Sequence, residues 1–292
     1  MKNIDKIIFG DNQFFGINHM SQEKAQQLSE RFQNLESIIE VYDIAYKNGI
    51  KSFMLNSNDR ANEICNYFKS NKSKYPELNW YPSIPYPHKY ANLISEKGII
   101  STLNDIIFKD NSTIGLLGMF AKGSSALISK DAIKLLQMLI DVEVKMFTGL
   151  DIKVIFLQNI ITDLLLGYEV GEIFYEYCAY IKQKYNVIPG FITQNMPHLK
   201  DKLNNWGISG VVICTSINDI GYLMSPSKEK YIDSINSNDE TKYKIMCMST
   251  MASGAINAEK AYSFINGLNI QSVVFGASSK QHIKQTVALI NK

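Results

Sequence analysis

The 292-residue chain has no apolar run near the roughly 18 residues that a membrane-crossing helix requires, so no bilayer partner is expected. Its opening apolar stretch, residues 7–9, is flanked by Lys2, Asp5 and Lys6 and is too short for the core of a signal peptide. These absences predict a soluble, cytoplasmic protein. Net charge is only +2, without blocks of like charge or interleaved basic and aromatic residues, which argues against a nucleic-acid partner. The four cysteines, Cys65, Cys178, Cys214 and Cys247, have no paired spacing and read as small buried apolar groups, neither staples nor metal ligands. His19 and His88 are too isolated in sequence to form a metal motif, although folding could gather them with Asp11, and no metal is expected. No Pro-, Gly- or Ser-rich linker divides the chain, so residues 1–292 are expected to form one domain.

What is present is alternation. Short apolar runs at 6–10, 52–55, 80–86, 153–157, 188–193, 210–214, 244–248 and 272–275 each exit into polar residues. Between them lie helical patterns, among them Leu35, Ile38, Ile39, Tyr42 and Tyr46 closing at Asn48-Gly49, Ile64 with Tyr67 and Phe68, and Ala258, Ala261, Ile265 and Leu268. Leu135, Leu136, Leu139 and Ile140 start another helix, which Gly149 ends. Eight continuous apolar strands alternating with amphipathic helices predict an α/β fold, a (β/α)₈ TIM barrel. A doubly wound sheet would bring a Gly-rich turn after its first strand, and 11–16 is not G-x-G-x-x-G. Pro82 and Pro85 are expected at the ends of their strand. Residues 91–128 read as an insertion, with 113–120 either a further strand or a helical turn, and the polar run 228–242 as a mobile excursion.

Barrel enzymes place their chemistry at the carboxyl ends of the strands. That position selects Asp11, Asn56, Asp59, Tyr86, Lys89 and Asn159 as expected catalytic residues, and His88, Gln158, Thr193, Asn195 and Asn218 as expected substrate-binding residues. Asp11 and Lys89 can exchange protons if burial or a neighbouring charge moves their pKa values towards neutral. Asn56, Asn159, Asn195 and Asn218 can each orient a hydroxyl or carboxylate, or simply serve turns and helix caps. After the last strand, Gly276, Ala277, Ser278 and Ser279 precede a helix whose free N–H groups and dipole suit a phosphate.

This final unit, with Ile283, resembles the cofactor-phosphate loop of the aldo-keto reductases, as does the preceding segment 248–254. The resemblance implies a shared barrel over nearly the whole chain and an anion site. The family's acid set, a tyrosine assisted by lysine, aspartate and histidine, is not matched. Asn56 stands at the aspartate position, Ala61 or Asp59 at the tyrosine, Ile84-Pro85-Tyr86 where a lysine belongs and Gln158-Asn159 where a histidine belongs. Gln285-Thr286 replaces the Glu-Asn pair of the adenine pocket, which disfavours NADP and leaves the cofactor open. The expectation is a separate branch marked by residues 10–16 and by Pro85-Tyr86 with Lys89. Its function is expected to be acid/base chemistry on a small polar, phosphorylated or carboxylated, sugar-like metabolite. The alternatives are an NAD(P)H-dependent oxidoreductase with a non-standard catalytic set, and a catalytically inactive metabolite-binding barrel. Oligomeric state and substrate are not legible in the sequence.

Overall fold

Nine strand segments form one parallel sheet: β1 (Ile7–Phe9), β2 (Ser52–Asn56), β3 (Asn79–Ile84), β4 (Asp151–Ile152), β5 (Val154–Leu157), β6 (Ile188–Thr193), β7 (Val211–Ser216), β8 (Tyr243–Met248) and β9 (Ser272–Phe275). These belong to a computed structural model that describes residues 3–16, 22–86 and 130–292. The expectations for 91–128, including 113–120, and for His19, His88 and Lys89 fall outside the described residues.

The sheet closes on itself, because β1 pairs with both β2 and β9 while β2 also pairs with β3. Segments β4 and β5 both pair with β3 and make one stave interrupted at Lys153, whose N–H donates to the Trp80 carbonyl at 2.9 Å. The result is an eight-stave (β/α)₈ barrel, as the alternation predicts.

The described helices are α1 (Gln22–Arg31), α2 (Leu35–Lys47), α3 (Ala61–Ser70), α4 (Lys130–Val144), α5 (Asn159–Gly167), α6 (Gly171–Tyr180), α7 (Met196–Asn205), α8 (Lys228–Asn236), α9 (Ala258–Asn266) and α10 (Lys280–Ile290). Their ends follow local chemistry. Asn34 caps α2 by accepting from the Ser37 N–H at 2.9 Å, and the helix stops where Gly49 takes φ 88°, a conformation that favours glycine.

Strand alternation produces two cores. One face of each strand fills the barrel lumen, with Ile8, Met54, Tyr81, Phe156, Cys214 and Val274 among its members. The other face packs under the helices, where Phe9, Phe14, Tyr42, Phe53, Phe68 and Trp80 form a chain of edge-on and tilted rings. The amino end of the lumen is plugged. Tyr81 donates its hydroxyl to Asp5 Oδ2 at 2.6 Å, Lys153 Nζ lies 3.0 Å from both Asp5 oxygens, and Ser272 Oγ donates to the Asp5 carbonyl at 2.6 Å.

Three local expectations are corrected. Pro82 lies inside β3, not at its end. The carbonyls of Trp80 and Ile84, on either side of it, accept from Lys153 and Gln158, so Pro82 turns its hydrogen-free nitrogen towards the break in the β4–β5 stave, where a donor is not required. Tyr86 lies just past β3, outside it. The run 228–242 is largely a helix of the barrel's outer ring: Ser227 caps α8, and Tyr231 and Ile235, four residues apart, are its buried anchors. With only Ile232 beside those two as apolar residues among many polar ones, the helical signal is weak in sequence.

Candidate functional site

The exits of β1, β2, β3 and β5 meet at the carboxyl end of the barrel. Asp11 follows β1 and is 3% exposed, with Oδ2 accepting from the Asn56 backbone N–H at 2.8 Å and Oδ1 from the Asn56 side-chain amide at 2.7 Å. The amide oxygen of Asn56 in turn accepts from Gln158 Nε2, so a polar chain runs from β1 through β2 to the start of α5. Burial pushes the Asp11 carboxyl up to about 7, against the opposing pull of its hydrogen bonds with Asn56 and its own backbone.

The next residue of the same exit, Ser57, is buried and accepts from the Tyr86 backbone N–H at 3.1 Å. Tyr86 is half-buried there, and burial first, then the charges of Asp11 and Asp59, raise its phenol above the ordinary value. Asn56 and Ser57 therefore hold Asp11 and Tyr86 on one rim of the barrel. Asp59 is exposed on the turn that follows, where Asn58 Oδ1 accepts from the Arg60 N–H at 2.9 Å.

The remaining expected residues divide. Asn159, the first residue of α5, is half-buried and makes no side-chain hydrogen bond among the described residues. Thr193 donates to Asp163 on α5 and accepts from the Asn195 N–H at 2.9 Å. Asn195 caps α7 by accepting from the His198 N–H at 3.4 Å. Asn218 is fully buried and clamps a loop, with Nδ2 donating to the Tyr222 carbonyl at 2.9 Å and Oδ1 accepting from the Tyr222 N–H at 2.8 Å. No hydrogen bond links Thr193, Asn195 or Asn218 to the Asp11 cluster.

In the turn after β9, Ser279 caps α10 by accepting from the His282 N–H at 3.2 Å, while half-buried Ser278 makes no side-chain hydrogen bond among the described residues. Ala277 packs against the outer core. Gly276 is exposed, but the direction a side chain would take there is blocked by Gln13, which the sequence reading does not single out: a Cβ at Gly276 would lie 2.1 Å from Gln13 Oε1. Gln13 is 7% exposed, its Nε2 donates to the Gly10 carbonyl at 2.8 Å, and its Oε1 has no partner among the described residues. The available signals for Gln13 and Ser57 are their places just past the ends of β1 and β2. Among the described residues no group of three His, Cys, Asp or Glu is placed to hold a metal ion, and no helix is long and apolar enough to cross a membrane.

No protein-family model matches the chain, and no curated protein matches it in sequence. Solved structures do match its fold. A candidate aldo-keto reductase from Pseudomonas aeruginosa superposes with TM-score 0.60 at 10% identity, over 98% of this chain and 90% of its own. The aldose reductase of Schistosoma japonicum gives 0.56 at 7% identity, over 100% and 85%. The 3-keto-D-glucoside 4-epimerase of Escherichia coli gives 0.53 at 10% identity, over 98% of both chains. At these identities the likeness is one of fold.

Proposed function

We propose that this barrel is a carbonyl-directed oxidoreductase with a catalytic set of its own, in which Tyr86 gives a proton to the carbonyl oxygen and Asp11 controls how readily it does so. The observation that carries the reading is that consecutive residues of the β2 exit, Asn56 and Ser57, bond the Asp11 carboxylate and the Tyr86 backbone N–H, and that the Asp11 charge is felt at the Tyr86 phenol. The family's acid is thus supplied from the β3 exit, and a carboxylate from the β1 exit. Likeness of the barrel to reductases supports this reading over the cofactor-free acid/base chemistry that residue types alone favour.

A nicotinamide dinucleotide would supply the hydride. The residues here fit it at one end only: Ser278 and the first turn of α10 suit a phosphate, whereas at the adenine positions Gln285 donates to Glu259 at 2.7 Å and Thr286 is buried. The chain's own groups do the rest. The Tyr86 phenol is protonated at neutral pH, as a proton donor must be, and its raised pKa makes it the weaker acid for as long as Asp11 is charged. Gln158, with Nε2 turned to Asn56, has its carbonyl oxygen available for a substrate hydroxyl. Asp11 changes charge near neutrality. Once ionised it holds the phenol proton more tightly, so reduction is expected to slow as pH rises through about 7.

The test is oxidation of NADH and NADPH with dihydroxyacetone and larger ketoses, comparing wild type with Tyr86→Phe. Loss of about 10²-fold or more in the variant is expected, the usual size of general acid catalysis. Wild type that consumes neither nucleotide, yet exchanges solvent deuterium into the carbons next to the carbonyl, would replace this reading with the cofactor-free one. The engaged state of Gln285 and Thr286 is what favours that second reading.

A further inference from the structure

Barrel lumens of this type are normally filled by layers of branched apolar side chains. The lower lumen is apolar throughout, with Ile8, Met54, Val154, Phe156, Val212 and Met246. The upper lumen does not. Ser83 lies two residues beyond Tyr81 on β3, and Ser216 two beyond Cys214 on β7. Tyr81 and Cys214 both belong to the lumen core, so strand alternation turns both serine hydroxyls inward. Both serines are 0% exposed, and neither hydroxyl has a hydrogen-bond partner among the described residues.

The neighbouring positions repeat the pattern. Asn56 stands beside Ser83 in the β2–β3 register, and Gly10 and Gly276, directly past β1 and β9, bring no side chain. A third unpartnered atom is Gln13 Oε1. The Gly10 carbonyl can only accept, so the Gln13 amide must present its NH₂ group there and turn its oxygen to Gly276. Buried polar atoms without partners are uncommon in folded proteins, and of those among the described residues these three lie at the carboxyl end of the barrel strands. Among the described residues of these positions there is no lysine, arginine or histidine.

We infer that the upper lumen is a hydroxyl-recognition site: the uncharged, polyhydroxylated end of the substrate enters between the strand ends and supplies the hydrogen bonds that Ser83, Ser216 and Gln13 lack. The inference rests on the carbonyl-directed reading above and gives that reaction its substrate class. The serine hydroxyls are sealed from water, so entry requires a side chain to move. Among the described residues Met248, level with Ser216 across the β7–β8 ladder, half-buried and unbranched, is suited to give way.

The experiment titrates the full chain with dihydroxyacetone, a carbonyl flanked by two hydroxyls, and reads binding by ligand-observed NMR and thermal stability without ligand. Ser83→Ala and Ser216→Ala are each expected to weaken binding about tenfold, because a site built to bond a hydroxyl loses discrimination with each partner removed. Without ligand the same variants should melt at the wild-type temperature or above it, since the deleted hydroxyl bonds nothing among the described residues. A lower melting temperature, unchanged affinity, or wild type that does not bind dihydroxyacetone would each overturn the inference. Wild type that binds through the serines but turns over neither nucleotide would leave the hydroxyl site standing and remove only the redox reading.

Discussion

Both carboxylate oxygens of Asp11 are bound by a single residue, Asn56, one through its backbone N–H and one through its side-chain amide. A carboxylate so held cannot swing away, and its only exit from a buried charge is to take up a proton. The same contact fixes the Asn56 amide, so its oxygen must face Gln158. One pair thereby sets both the titration and the geometry of the rim.

The first prediction concerns pH. Burial raises the Asp11 carboxyl from its ordinary 3.8 to about 7, so the folded state holds this proton more tightly than the unfolded chain. The resulting stabilisation is complete below about 4 and is lost as pH rises through about 7. Melting temperatures of wild type and Asp11→Asn across this window should diverge, with wild type losing relative stability on the alkaline side. Parallel curves would show that Asp11 titrates normally.

The plug at the opposite end has the opposite sign. Burial works to raise the Asp5 carboxyl, but Tyr81 and Lys153 help bring it below its ordinary 3.8. Its stabilisation is therefore present above that value and lost as pH falls through the lowered pKa. Asp5→Asn should cost about 1–3 kcal/mol at neutral pH, the usual loss for hydrogen bonds to a charged group, and progressively less in acid. Denaturant unfolding at neutral and acid pH checks this, and a cost independent of pH would refute it.

Gly276 and Gln13 should be coupled. A methyl at Gly276 would collide with Gln13 Oε1 and break its partner's bond to Gly10, so Gly276→Ala should destabilise by about 1–3 kcal/mol. Removing the side chain first, with Gln13→Ala, should leave room for that methyl and recover most of the loss. Additive effects in this double-mutant cycle would mean that the close contact has no energetic consequence.

The two serines of the final turn should separate by role. Ser279→Ala removes a helix cap and should cost about 1 kcal/mol of stability. Ser278→Ala should leave stability within about 0.5 kcal/mol while weakening inorganic pyrophosphate about tenfold in calorimetry. Equal affinity in wild type and Ser278→Ala would make the turn purely structural.

Periodicity was sufficient for the barrel, because an eightfold repeat of buried strand and amphipathic helix has few ways to hide its apolar faces. It also located the rim, since exit positions are defined by chain order. Asp11, Asn56, Tyr86 and Gln158 were accessible for that reason. Hydrogen-bond engagement was not: Asn195 and Asn218 look like Asn56 in sequence, yet one caps a helix and the other clamps a loop.

The sequence by itself determined the succession of strands and helices along the chain and the polar character of each exit, which are local properties of the chain. Tertiary structure decided which exits touch. Closure of the sheet brings Asp11 to Asn56 across 45 residues and Gln158 to Asn56 across 102, buries one carboxylate and leaves Asp59 exposed. It also turns Ser83 and Ser216 into the lumen without partners. Burial and partnership depend on neighbours distant in sequence, and these set both the pKa of Asp11 and the unmet hydrogen bonds of the upper barrel.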